Sequence, residues 1–208
     1  MWGMEIEVFA DIWCPFTHVG LRALAQERAR RGRTDVAVWV RAWPLELVNG
    51  APMDGHHAAE RAAALRAQVA PTLFTDTVPE RFPSTTLPAL ALVNRAYRID
   101  HHLGERASFA VRDALFEHGT DIADPRVLQA LADDLAVVMP DDDDHQRVLF
   151  DYEEGRQRGV VGSPHFFAGG ESAFCPALQI SRDDHDEFVI VADRDRLTAF
   201  IDRCLGAP

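Results

Sequence analysis

Ile6, Val8 and Ala10 alternate with Glu7, Phe9 and Asp11. That period of two predicts a strand with one buried face. After Ile12 the period changes. Phe16, Val19, Ala23 and Leu24 recur at helical spacing and predict an amphipathic helix that runs to Gly32. Pro15 suits the first turn, where its missing N–H needs no partner. Arg28, Arg30 and Arg31 complement the negative helix end, and Gly32 closes it. Val36 to Trp43 alternates again and predicts a second strand, so this stretch reads as a right-handed βαβ unit.

From about Met53 to Arg158 the strand pattern is lost. Ala58 to Val69 is Ala-rich, and Leu87 to Ile99, Glu105 to Glu117 and Asp124 to Leu135 carry helical spacing. Asp124-Pro125 reads as a cap followed by a first-turn proline. Asp142 to Arg158 reads as a further helix closed by Gly159. Strand patterns return at His165 to Ala168, Glu171 to Phe174 and Phe188 to Val191, with Gly169-Gly170 as a tight hairpin turn. Asp195 to Leu205 predicts a closing helix with Leu197, Phe200, Ile201 and Cys204 on its apolar side. The expected architecture is α/β: residues 1–50 and 159–208 form one domain, and 51–158 form an all-helical domain inserted into it.

Charge narrows the partners. The 208 residues carry 21 Lys+Arg against 33 Asp+Glu, a formal net charge of −12. So acidic a surface repels phosphate backbones, and nucleic acid is not an expected partner. With no apolar stretch of about 18 residues, no transmembrane helix is expected. Met1-Trp2-Gly3-Met4-Glu5 lacks the basic and apolar regions of a secretory signal, so the expected location is the cytoplasm. Three cysteines, Cys14, Cys175 and Cys204, make an odd count that fits a reducing compartment better than a disulfide framework. His56-His57 and His101-His102 lack metal-ligand spacing and read as surface histidines, so no metal is expected. Asp141 to Asp144 lacks the Gly and distant Glu of a calcium loop and suits a helix start.

The chemistry centres on Trp13-Cys14-Pro15-Phe16-Thr17. A thiol at a helix start meets unpaired N–H groups and the positive end of the dipole, which favour thiolate and predict a lowered pKa. Cys14 is therefore the candidate nucleophile; a small buried apolar residue is the plain alternative. Where a redox helix carries its second cysteine, this chain has Thr17. Thr17 can donate a hydrogen bond to the sulfur or bond its own backbone, but it cannot form a disulfide. Trp13 and Phe16 can wall the sulfur or pack in the core, and His18 can tune the thiolate or lie exposed.

A strand, Cys-Pro at a helix start, a long helical insertion and then Val161-Gly162-Ser163-Pro164-His165-Phe166-Phe167 resemble the DsbA-like branch of the thioredoxin superfamily. Leu115-Phe116-Glu117-His118-Gly119-Thr120-Asp121-Ile122-Ala123-Asp124 resembles a segment of its FrnE-like members, and Phe82-Pro83-Ser84-Thr85-Thr86 a loop leading into an insertion helix. The 2-hydroxychromene-2-carboxylate isomerases and kappa-class glutathione transferases are related members that carry Ser at the first motif position. The resemblance implies a thioredoxin-like fold with an inserted helical domain and a cis bond before Pro164. It further implies that Ser163 presents an unpaired backbone edge to a peptide or glutathione, with His165 beside it.

In such a sheet the strand Glu171 to Phe174 runs parallel to the first, which brings Cys175 to the edge where Cys14 lies. Cys175 is then either a resolving thiol or an unrelated loop cysteine; Cys204 reads as core. The expected function is a thiol–disulfide oxidoreductase with one thiol at the helix start. No tightly bound cofactor is expected, and glutathione is the candidate cosubstrate. The alternatives are a glutathione-dependent isomerase or transferase acting on an electrophile, and a non-catalytic binding protein. Oligomeric state, a homodimer included, stays open.

Overall fold

The computed structural model describes residues 4–33, 35–75 and 82–205. Strand β1 (Met4–Ala10) leads through Asp11–Trp13 into helix α1 (Pro15–Arg30), and the chain returns as β2 (Val36–Ala42). Six helices follow: α2 (Leu45–Asn49), α3 (Gly55–Gln68), α4 (Leu87–Ile99), α5 (His101–Phe116), α6 (Pro125–Leu135) and α7 (Asp142–Gln157). Four strands and a helix close the described chain: β3 (His165–Ala168), β4 (Glu171–Phe174), β5 (Leu178–Arg182), β6 (Phe188–Ala192) and α8 (Arg194–Leu205).

The main sheet has the order β2-β1-β3-β4. β1 and β2 pair in parallel, β3 runs antiparallel to β1, and β4 antiparallel to β3. The residue after β4, Cys175, thus lies at the sheet edge to which β1 delivers Cys14. Gly169 and Gly170 turn the β3–β4 hairpin with φ of 56° and 83°, values that a side chain disfavours. The fold is the thioredoxin-like α/β architecture with helices between β2 and β3.

Two differences from the sequence reading have physical causes. α5 starts four residues early because Asp100 caps it, its carboxylate accepting from His102 N and Leu103 N. β5 carries the polar residues Gln179, Ser181 and Arg182, so its apolar signal is weak; it pairs with β6 in a separate two-stranded sheet. Asp141 and Asp144 close a reciprocal capping box at the start of α7.

One buried apolar cluster joins Val8 and Val40 of the sheet to Leu92, Val111 and Leu115 of the helices. Polar clamps reinforce that junction. Buried Arg41 of β2 holds Asp151 and Glu154 of α7. Tyr97 of α4 donates to Val38 O at 3.0 Å and accepts from Val40 N at 2.9 Å along the edge strand β2. No helix among the described residues is long and apolar enough to cross a membrane.

Candidate active site

Cys14 is the N-cap of α1, with extended backbone (φ −80°, ψ 107°) and Pro15 at the first helical position. Its side chain is not at the surface: the residue is 4% exposed. The thiol donates to the carbonyl oxygen of Ser163 at 3.0 Å. Ser163 precedes Pro164, and the bond between them is cis. Helix start and proline loop thus meet directly through sulfur.

This geometry corrects the expected thiolate. Burial pushes the Cys14 thiol above its ordinary value; the side chain and backbone N–H of Thr17 act against it, and nearby Asp11 adds to it. The magnitudes explain the sign. A helix end contributes at most about 2 kcal/mol to a charge, whereas full burial shifts a pKa by up to about 3–5 units, or about 4–7 kcal/mol. The edge expected at Ser163 is also occupied, because Cys14 itself uses that carbonyl.

Thr17 is wholly buried and shares a 2.8 Å hydrogen bond with Ser163 Oγ. Ser163 Oγ also accepts from Asp11 N at 2.9 Å. Asp11, fully buried at the β1–α1 turn, receives Trp13 N and Leu45 N on its carboxylate. Burial raises it to about 6 despite those donors. Asp11 was not singled out by sequence; the signal was a carboxylate ending a run of buried strand positions, three residues before Cys14.

Cys175 joins the same loop from the other side, its N–H donating to Pro164 O at 2.9 Å. The two cysteines therefore attach to consecutive carbonyls, and each thiol lies within the other's electrostatic reach. Cys175 is buried and has positive φ (44°). Burial pushes its thiol up to about 12. Cys204 lies in the core, its thiol donating to Ala168 O.

The other expected site residues split. Trp13 is fully buried and packs against Phe82 at 6.0 Å between ring centroids, so it is core rather than an open wall. Phe16 is half-buried beside Phe188. His165 is buried, stacks on Phe167 at 4.7 Å and accepts from Val161 N, which turns it from solvent. Phe174 instead lies over Gly162 and is 42% exposed, giving the loop an apolar shelf that sequence reasoning missed.

His18 is not exposed; it has no solvent contact. Arg22 Nη1 lies 3.0 Å from its Nδ1 and can only donate, so Nδ1 is an acceptor. Nε2–H then donates to Glu117 Oε1 at 2.6 Å. Burial, then Arg22, lower His18 to about 4, against the pull of Glu117. The contact is a hydrogen bond from neutral imidazole, tying α1 to the end of α5. A cavity of about 410 Å³ lies elsewhere, walled by Trp39, Tyr97 and Arg147.

Residues 5–182 match the DSBA-like thioredoxin domain. The chain belongs to that family. No curated protein sequence matches this DSBA-like chain. Its fold is similar to a structure described as a "probable DsbA oxidoreductase" from Streptomyces coelicolor, with 19% identity, a TM-score of 0.68, and coverage of 99% of this chain and 91% of that one. It is similar also to the cytosolic disulfide reductase DsbM of Pseudomonas aeruginosa (16% identity, TM-score 0.61, 96% and 97% covered). A third likeness is to a 2-hydroxychromene-2-carboxylate isomerase (16% identity, TM-score 0.59, 82% and 88% covered). At such identities the DSBA-like chain shares a fold with these proteins.

Proposed function

We propose that this DSBA-like protein is a cytoplasmic thiol–disulfide oxidoreductase with Cys14 as nucleophile and glutathione as cosubstrate. The observation that carries the reading is Cys14 at the start of α1, bonded to Ser163 O on the proline loop. DsbM, of similar fold, has been solved with glutathione. An odd count of three cysteines fits a reducing compartment.

The reaction starts when the thiol leaves Ser163 O and gives its proton to solvent. The Cys14 thiolate attacks one sulfur of a disulfide, forms a mixed disulfide and expels the other sulfur as thiolate, which takes up a proton. A glutathione thiolate attacks the substrate sulfur of the mixed disulfide, expels Cys14 as thiolate and leaves as a glutathione–substrate disulfide. A second glutathione thiolate attacks the glutathione sulfur of that product, expels the remaining substrate thiolate, which takes up a proton, and forms glutathione disulfide, so two glutathiones reduce one disulfide. A thiol at about 12 is ionised only about once in 10⁵ at pH 7, so buried Cys175 resolves the intermediate only once opening exposes it. Wild-type protein should reduce hydroxyethyl disulfide at the expense of glutathione, and Cys14→Ser should not. Equal rates in both would overturn the reading.

One observation favours a second reading. Cys14 stays a neutral hydrogen-bond donor, a state suited to holding the thiolate of a bound glutathione in an isomerase or transferase. Tight binding of reduced glutathione without any mixed disulfide would select it. Binding of a peptide or small molecule without turnover would select a non-catalytic role.

A further inference from the structure

Arg112 of α5 has no solvent exposure. Its Nη1 donates to Ser108 O at 2.9 Å and Oγ at 2.7 Å, and its Nη2 to Asp11 O at 3.2 Å. Nε has no partner, and no carboxylate among the described residues forms an ion pair with it. Burying a guanidinium on neutral hydrogen-bond acceptors is costly, and among nearby charges the Asp11 carboxylate supports it first and Cys14 after it. The charge has a neighbour in need of one.

Hydrogen bonds connect Arg112 to the thiol. Nη2 holds the carbonyl of Asp11, Asp11 N holds Ser163 Oγ, and Ser163 O receives the Cys14 thiol. On ionisation Cys14 loses that last bond, and its sulfur faces a carbonyl oxygen as an anion. Thr17 then supplies donors, and Arg112 is a cation whose charge Cys14 supports. The charged and titratable groups around the pair are Asp11 on the β1 turn, Tyr97 on α4, His18 and Arg22 on α1, and Cys175 after β4. Asp11 opposes the thiolate and supports Arg112.

We propose that Arg112 is the buried counter-charge of the Cys14 thiolate, a positioning residue that acts through the Asp11–Ser163 chain without touching substrate. The proposal rests on Cys14 reacting as a thiolate, the premise of the function proposed above.

The test is the pH dependence of Cys14 alkylation by iodoacetamide, read by peptide mass spectrometry, with Cys204 as internal control. In Arg112→Met the profile should shift up by about one pH unit, a tenfold slower reaction at fixed pH. Arg112→Lys should return it to within about threefold of wild type, and Cys204 should not shift. An unshifted Cys14 profile in folded Arg112→Met overturns the proposal. So does an equal change at Cys204, which signals general loosening. If Arg112→Met does not fold, Arg112→Gln decides: the Cys14 profile should again shift up by about one pH unit with Cys204 unmoved, and an unshifted Cys14 profile overturns the proposal. A missing glutathione adduct on Cys14 would overturn the oxidoreductase reading and leave this alkylation result standing.

Discussion

Cys14 donates its thiol proton to the carbonyl oxygen of Ser163 at 3.0 Å, so the sulfur and the proline loop hold each other closed at rest. The sulfur is protected rather than poised. Reactivity then depends on pH and on whatever opens this contact.

Burial raises Cys14 above the ordinary value of a thiol, so its thiolate grows about tenfold per pH unit throughout the neutral range. Alkylation by iodoacetamide should be slow at pH 6 and climb to pH 9 without levelling. A plateau below pH 8 would show an activated thiolate and contradict this geometry.

His18 predicts an acid-linked stability. Its pKa falls from 6.5 unfolded to about 4 folded, so the neutral fold is favoured above pH 6.5 and that advantage fades as pH drops toward 4. The linked loss between pH 7.5 and pH 5 is about 2 kcal/mol. The destabilisation caused by His18→Gln, from urea unfolding, should therefore be about 2 kcal/mol smaller at pH 5 than at pH 7.5. Comparing variant with wild type removes the opposite slope of Asp11, whose raised pKa costs stability as pH climbs through about 6. Equal destabilisation at both pH values would contradict a buried neutral imidazole.

Thr17 stands where a second thiol would complete a redox pair. Thr17→Cys loses the bond to Ser163 Oγ, a cost of about 1 kcal/mol, and places a resolving thiol one turn from Cys14. Disulfide reduction should rise at least tenfold in the glutathione-coupled assay. A folded variant no faster than wild type would mean that the scaffold binds rather than exchanges disulfides.

Gly104 ties the helices to β2. A Cβ there would collide with the Tyr97 ring, and Tyr97 holds both Val38 and Val40. Gly104→Ala should cost about 2–4 kcal/mol, from overpacking and two strained hydrogen bonds. A melting temperature equal to wild type would contradict that packing.

What the sequence revealed was local. The period switch at Ile12, Pro15 after Cys14, and the Ser163-Pro164 loop all mark their elements within a few residues. α4 runs from Leu87 to Ile99 as its spacing predicts. What it hid was long-range. Arg112 looks like an ordinary polar helix position until Asp11, 101 residues away, is folded against it. His18 reads as either a thiolate neighbour or an exposed residue until Glu117, 99 residues on, accepts its Nε2–H. The raised pKa of Cys14 is hidden for the same reason: a helix start can be read from sequence, but the burial that outweighs it comes from tertiary packing.

The central claim is that Cys14 carries disulfide exchange with glutathione. Incubation with glutathione disulfide, an acid quench and peptide mass spectrometry test it directly. The predicted result is a glutathione adduct on Cys14 that is absent in Cys14→Ser, with a Cys14–Cys175 disulfide only where opening exposes Cys175. An unmodified Cys14, with the adduct absent or carried by Cys204, would contradict the claim.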